Sequence, residues 1–427
     1  MYRRKRICKQ FCVFAFPTLL VLALVLGYSI DWSVEQERSG PHGRTDEDDG
    51  GEDLLEDFVR GMGSLSSFDY DQPVNLTNNQ TRTNVSEPFA KATYANVPRA
   101  LYRFAPEVFD AFPSKFLPNI RSPCWTDPRT EELNCLPSFF VAGFPKCGTS
   151  DVYAKLYRHP GIVRTKKKEP HWWTRNRFNG SLLEYTGNFQ TLAKRISANA
   201  SASKNLISGD ASVATAWKND NWRLFFPTAN EPLYVTAELI HQVLPKSKII
   251  FLLRDPIERA FSDYLYINFL RRRKNGWEGP KVNVITFHRD VLMSIAILKA
   301  CMGKGRFLRS CSYDYAESLR ARITVSHYVV YLRDWLQAFP RDQIFVLQLE
   351  DWKGNCEKWL PKLYSFLEQE KLSDETIREI CKKKMKNGPR FNRKVGGELL
   401  NITRSALDQW YAPFNEELAK FLRDNDM

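Results

Sequence analysis

Three kinds of hydrophobic patterning divide the chain. The segment "FCVFAFPTLLVLALVLGYSI" (11–30) is an uncharged apolar run of twenty residues, which at ~1.5 Å per residue spans a hydrocarbon core of ~30 Å. Residues 31–95 are rich in Gly, Ser, Asn, Thr and acid and show little apolar periodicity, the pattern of a flexible stem. From about residue 96 aromatics and prolines rise, and short apolar runs begin to alternate with helical patterns. "SFFVAGF" (138–144) reads as a buried strand, followed by a loop and then a helix through Val152, Leu156 and Tyr157. "KIIFLLRDP" (248–256) repeats the unit, with a helix expected over Ile257 to Leu270. Strand–loop–helix units of this kind predict an α/β fold whose central parallel sheet is flanked by helices, with ligands at the carboxyl ends of the strands. No internal repeat is present.

Charge fixes the topology expected of these segments. Five Lys/Arg precede the apolar run, and the chain after it soon turns acidic ("DEDDGGEDLLED", 46–57). The positive-inside rule therefore makes residues 1–10 a cytosolic tail, 11–30 a transmembrane signal anchor, 31–95 a lumenal stem and 96–427 the catalytic domain. A cleaved signal peptide is the rival reading, but the run is long for one and no clear cleavage site follows. N-x-[ST] acceptors at Asn75, Asn79, Asn84, Asn179, Asn199 and Asn401 agree with a lumenal location.

Cysteine usage points the same way. Seven of the nine cysteines follow the anchor, and Cys301 with Cys311 encloses a short basic loop that a disulfide would close in an oxidising compartment. Cys124 with Cys135 and Cys356 with Cys381 are further candidate pairs, leaving Cys147 over. No Cys/His spacing suits zinc, so no metal is expected. The net charge of +13 and pI near 9.2 imply an acidic partner. In a lumenal domain that partner is an anionic polysaccharide, not nucleic acid.

The loop "VAGFPKCGTS" (141–150) has the small residues of a phosphate cradle, Gly143, Gly148, Thr149 and Ser150, at a helix N-terminus where backbone donors and dipole favour an anion. Its lysine, Lys146, precedes Gly148, whereas a Walker loop places lysine after the second glycine. The second unit carries "RDPIERAFSDY" (254–264): Arg254 offers a fork and Ser262 a short hydroxyl to a phosphate, while Asp255 and Pro256 also suit an ordinary helix start.

These two segments resemble the signatures of the sulfotransferase superfamily, and "KKKEPHWWTR" (166–175) resembles a motif of its Golgi carbohydrate-modifying members. With "FLPNIRSPCW" (116–125), "SDYLY" (262–266) and "WYAPFNEEL" (410–418), the chain is most similar to the N-acetylgalactosamine 4-sulfate 6-O-sulfotransferase branch. The resemblance implies a P-loop-like sulfotransferase fold and 3′-phosphoadenosine 5′-phosphosulfate (PAPS) as donor cosubstrate. It places the 5′-phosphosulfate on Lys146, Cys147, Gly148, Thr149 and Ser150, and the 3′-phosphate on Arg254 and Ser262. Either Arg390 or Arg393 would belong to a basic closing loop. It makes Glu169 the base and Lys146 the cation at the departing oxygen, with His171 orienting the acceptor or sharing the proton. Lys168, Trp172, Trp173 and Arg175 are the acceptor candidates, although the tryptophans suit a core equally well. Where relatives acting on heparan carry a lysine, Ala211 stands here. The implied protein is a type II Golgi membrane enzyme, with a homodimer conceivable, that sulfates chondroitin or dermatan sulfate. Other glycans, or an inactive glycan-binding relative, are the alternatives. A nucleotide kinase would need a Walker lysine and a metal-binding acid that the loop lacks.

Overall fold

The computed structural model describes residues 97–427 apart from 114, 276–281 and 384–396. The apolar run, the stem, Asn75, Asn79, Asn84, Arg390 and Arg393 lie outside the described residues. Among the described residues no helix is long and apolar enough to cross a membrane.

Two short antiparallel strands come first: β1 (Cys124–Thr126) and β2 (Leu133–Cys135) pair with Cys124 opposite Cys135, and those residues form a disulfide. The central sheet is built from β3 (Phe139–Gly143), β4 (Gly209–Asp210), β5 (Lys248–Leu253) and β6 (Ile344–Gln348), all parallel, in the spatial order β4-β3-β5-β6. Every residue of β3 is buried, as are Ile249 to Leu253 of β5. That explains why both strands read as continuous apolar runs: a parallel strand covered on two faces has no polar side to show.

The covering helices follow the strands. β3 leads into α1 (Thr149–Leu156). After β4 comes α2 (Thr236–Val243), and β5 leads into α3 (Pro256–Asn275). Asp255 Oδ1 accepts from the Glu258 N–H at 2.8 Å, and Pro256 opens the first turn, so the helix start expected from sequence is realised with its cap. The helix continues to Asn275, beyond the expected Leu270.

Two cores result. One surrounds the sheet and takes in Leu332 and Trp335 of α5 (Tyr328–Ala338) and Leu360 and Leu363 of α6 (Cys356–Phe366). The other lies between α3, α4 (Val284–Gly303) and α7 (Asn401–Asp424), around Phe261, Phe287, Leu298, Leu407 and Tyr411. Cys301–Cys311 ties the end of α4 to the next helical turn, and Cys356–Cys381 ties the start of α6 to the helix Asp374–Lys382. Cys147 is the buried free thiol left over among the described cysteines.

Candidate active site

The loop between β3 and α1 is shaped by two left-handed residues, Lys146 at φ 68° and Gly148 at φ 83°. Glycine is required at 148 for a second reason: a Cβ there would meet Leu349 Cδ1 at 2.5 Å. This turn directs the first N–H groups of α1, which have no intrahelical acceptor, toward the carboxyl end of the sheet. The start of α1 is fastened from below, where Asp151 accepts from Lys155 Nζ at 2.6 Å and from Trp352 Nε1 at 2.8 Å.

Arg254, just past the end of β5, reaches the same loop. Its Nη1 donates to the Lys146 carbonyl at 3.2 Å and its Nη2 to Glu258 Oε2 at 3.4 Å, while Nε is buried without a hydrogen-bond partner. Long bonds and an unpaired buried donor describe a guanidinium with capacity for an anion. Ser262, two turns along α3, is buried. The Lys146 ammonium lies 3.9 Å from the centroid of the Tyr266 ring, also on α3. Burial lowers its pKa below the usual lysine range, opposed by the charge of Asp263.

Glu169 is held from two sides: Lys168 Nζ is 2.5 Å from Oε1 and His171 Nε2 is 3.3 Å from Oε2. Burial disfavours its charge, but the His171 hydrogen bond and Lys168 outweigh burial and hold the carboxyl at about 2. His171 adopts φ 53° and its backbone N–H donates to Ser212 Oγ at 2.9 Å. Ser212 in turn donates its N–H to Asp210 Oδ1 at 2.8 Å, and Tyr185 donates its hydroxyl to Asp210 Oδ2 at 2.9 Å. A buried carboxylate at the tip of β4 thus fixes the backbone that presents Glu169 and His171.

The acceptor contact expected of the two tryptophans is corrected. Trp172 and Trp173 are 3% and 2% exposed, packed with Phe112 and Tyr185. They fill the core and offer no face to a sugar, both lying buried in the π-helical turn Trp172–Asn176. The Cys147 side chain is fully buried, its Sγ 3.7 Å from Tyr328 Oη, and burial pushes the thiol up to about 12. The side chain therefore packs in the core beneath the loop. Thr149 is buried and Ser150 half-buried at the start of α1. Arg175 is exposed and paired with Glu317 at 2.6 Å. Asn179, Asn199 and Asn401 are exposed.

A family model described as "Sulfotransferase domain" matches residues 136–425, from the strand before the loop to the end of α7. The chain belongs to the sulfotransferase family. Among curated sulfotransferases it is 32% identical, over 382 residues, to carbohydrate sulfotransferase 15 of Homo sapiens; the match covers 74% of this chain and spans 66% of that relative's length. It is 30% identical to the membrane-associated sulfotransferase kil1 of Dictyostelium discoideum, covering 67% of each chain. A solved sulfotransferase from Alicyclobacillus acidocaldarius aligns with a TM-score of 0.41 at 22% identity, over 67% of this chain and 96% of that one.

Several residues of this candidate site escaped sequence reasoning. Asp210 and Ser212 sit in "GDAS" (209–212), a short polar run with no periodicity. Arg259, in the same motif as Arg254, is fully buried; it donates to Ser326 Oγ and, at 2.7 Å, to the Arg322 carbonyl, and pairs with Asp263 at 3.4 Å. It supports the site from within. Tyr266 carried a signal, its place in "SDYLY", whose role the pattern leaves unassigned.

Proposed function

We propose that the chain transfers a sulfuryl group from PAPS to a hydroxyl of a glycosaminoglycan, specifically the 6-O position of N-acetylgalactosamine 4-sulfate in chondroitin or dermatan sulfate. The observation that carries this reading is the meeting of an anion loop bearing Lys146 with an ionised Glu169 held between Lys168 and His171. The residues suit the donor: the first turn of α1 has N–H groups without intrahelical acceptors, the kind of end that favours an anion, and Arg254 beside it keeps an Nε without a hydrogen-bond partner. In this reading the α1 turn and Lys146 hold the 5′ end and Arg254 with Ser262 holds the 3′-phosphate. The bound donor supplies the sulfuryl group.

The chain's own groups do the rest. Glu169 accepts the proton of the acceptor hydroxyl, and His171 fixes the direction in which Glu169 Oε2 points. Lys146 holds a positive charge where negative charge develops on the departing oxygen. Lys168 and Arg175 supply positive charge toward an anionic acceptor.

The same reading takes residues 1–10 as a cytosolic tail, 11–30 as a single type II anchor in the Golgi membrane, 31–95 as a stem and 96–427 as the catalytic domain. The membrane association in one relative's name supports the anchor in this reading. The test is incubation of the full chain in detergent with labelled PAPS and desulfated, 4-sulfated and heparan-type chains, followed by disaccharide analysis. Label at the 6-O position of 4-sulfated disaccharides is expected. Label confined to heparan-type chains would overturn the acceptor assignment, and no label on any chain would overturn the enzyme assignment.

A further inference from the structure

With Trp172 and Trp173 in the core, an aromatic surface for a sugar ring has to come from elsewhere in the site. On α3 the run Ser262, Asp263, Tyr264 and Leu265 is buried, each at 5% exposure or less, and Tyr266 ends it at 39%. The ring is nevertheless anchored, because the Lys146 ammonium lies 3.9 Å from its centroid. It also feels the charge of Glu169: burial raises the phenol, and Glu169 and Asp263 raise it further, so the hydroxyl remains a hydrogen-bond donor across the neutral range. An exposed ring that touches the loop cation and lies within the field of the site carboxylate is a surface that an acceptor sugar can meet. The C–H faces of a pyranose gain dispersion contact over the whole area of such a ring, while the phenol hydroxyl serves the sugar's polar edge.

We propose that Tyr266 is the acceptor-docking residue: the pyranose that presents its hydroxyl to Glu169 lies against the exposed part of the Tyr266 ring. The word acceptor rests on the sulfotransferase reading above; the docking itself requires only that the site bind a sugar. The same contact fixes the sugar relative to Lys146, since one ring touches both. Aromatic docking also explains how a site whose charged groups are largely paired with one another can hold a polysaccharide by more than charge.

The experiment titrates a chondroitin 4-sulfate oligosaccharide into the full chain in detergent, with 3′-phosphoadenosine 5′-phosphate present, and compares wild type with Tyr266→Leu and Tyr266→Phe. The leucine variant is expected to bind the oligosaccharide about three- to tenfold more weakly, and the phenylalanine variant, which keeps the ring, to stay within about threefold of wild type. Nitration of wild-type tyrosines gives a readout that needs no variant: saturating oligosaccharide should slow modification of Tyr266 and leave Tyr102, which is 41% exposed, unaffected. Unprotected Tyr266, unchanged affinity in Tyr266→Leu, or a wild type that binds no oligosaccharide each overturns the docking role. A wild type that binds and protects Tyr266 yet transfers no label overturns the sulfotransferase reading and leaves the docking role standing.

Discussion

His171 Nε2 lies 3.3 Å from Glu169 Oε2, with Lys168 Nζ 2.5 Å from the other oxygen. Burial alone would raise the Glu169 carboxyl, but these partners hold it at about 2. A depressed carboxyl is ionised, and its ion pairs stabilise the fold, above its unfolded value; the stability is lost progressively as pH falls from about 4.5 to about 2, and the charge itself only near 2. Glu169 is therefore charged throughout the neutral range and is a weak base until a partner lets go.

Lys168→Met removes one of those partners, so the acid limb of kcat/KM should move to higher pH than in wild type. The pH–rate profile of the two proteins, read on the same acceptor, checks this. An acid limb at the same pH in both would show that Lys168 does not hold the Glu169 charge.

Lys146 gives the opposite limb. Its ammonium is shifted below the usual lysine range by burial, so the cation is present at low pH and is lost as pH rises through that lowered value. Lys146→Arg should have a lower rate, because a planar fork replaces a point charge, but its alkaline limb should move to higher pH. Coincident alkaline limbs would assign that limb to another group.

The two arginines of "RDPIER" should separate into binding and folding roles. Arg254→Ala is expected to weaken 3′-phosphoadenosine 5′-phosphate by roughly 1.5–3 kcal/mol, the range for hydrogen bonds to charged groups, with the melt unchanged. Arg259→Met leaves Asp263 short of one buried partner, and denaturant unfolding should show a loss of about 3–5 kcal/mol. Unchanged nucleotide binding in Arg254→Ala would refute the phosphate role.

These arginines show what the sequence conveys and what it hides. β3, β5 and the helices after them were legible because parallel strands bury both faces, and a doubly buried strand leaves an unbroken apolar run. The anion loop was legible because left-handed turns ask for small residues at fixed spacing. Arg254 and Arg259 look alike in the string, five residues apart, and only packing shows that one faces the loop while the other is sealed inside. The Asp210–Ser212–His171 relay joins residues some forty positions apart and leaves no local pattern. Trp172 and Trp173 were ambiguous because an indole suits a core and a sugar equally, and only their packing against Phe112 and Tyr185 decides between the two. Trp410 and Tyr411 of "WYAPFN" prove structural, donating to His327 Nε2 at 3.0 Å and to the Ile323 carbonyl at 2.9 Å.

Glu238 offers a test of the fold's own pH dependence. Its carboxylate accepts from the Val235 N–H at 2.9 Å at the start of α2, and burial raises the carboxyl to about 7. A raised carboxyl favours the protonated fold, so stability should fall as pH rises from about 4.5 to 7. Glu238→Gln keeps an acceptor for the cap and removes the ionisation, and should raise Tm at pH 8 by more than at pH 4.5. An equal shift at both pH values would place the cost elsewhere.

The most direct measurement of the proposed chemistry is Glu169→Gln examined for nucleotide binding and turnover in parallel. Glutamine keeps size and shape but removes basicity, so affinity for 3′-phosphoadenosine 5′-phosphate should match wild type while sulfuryl transfer from PAPS falls by ~10²–10⁴, the usual worth of a general base. Retention of most activity in Glu169→Gln, together with abolition in His171→Ala, would contradict the assignment and give the proton to His171.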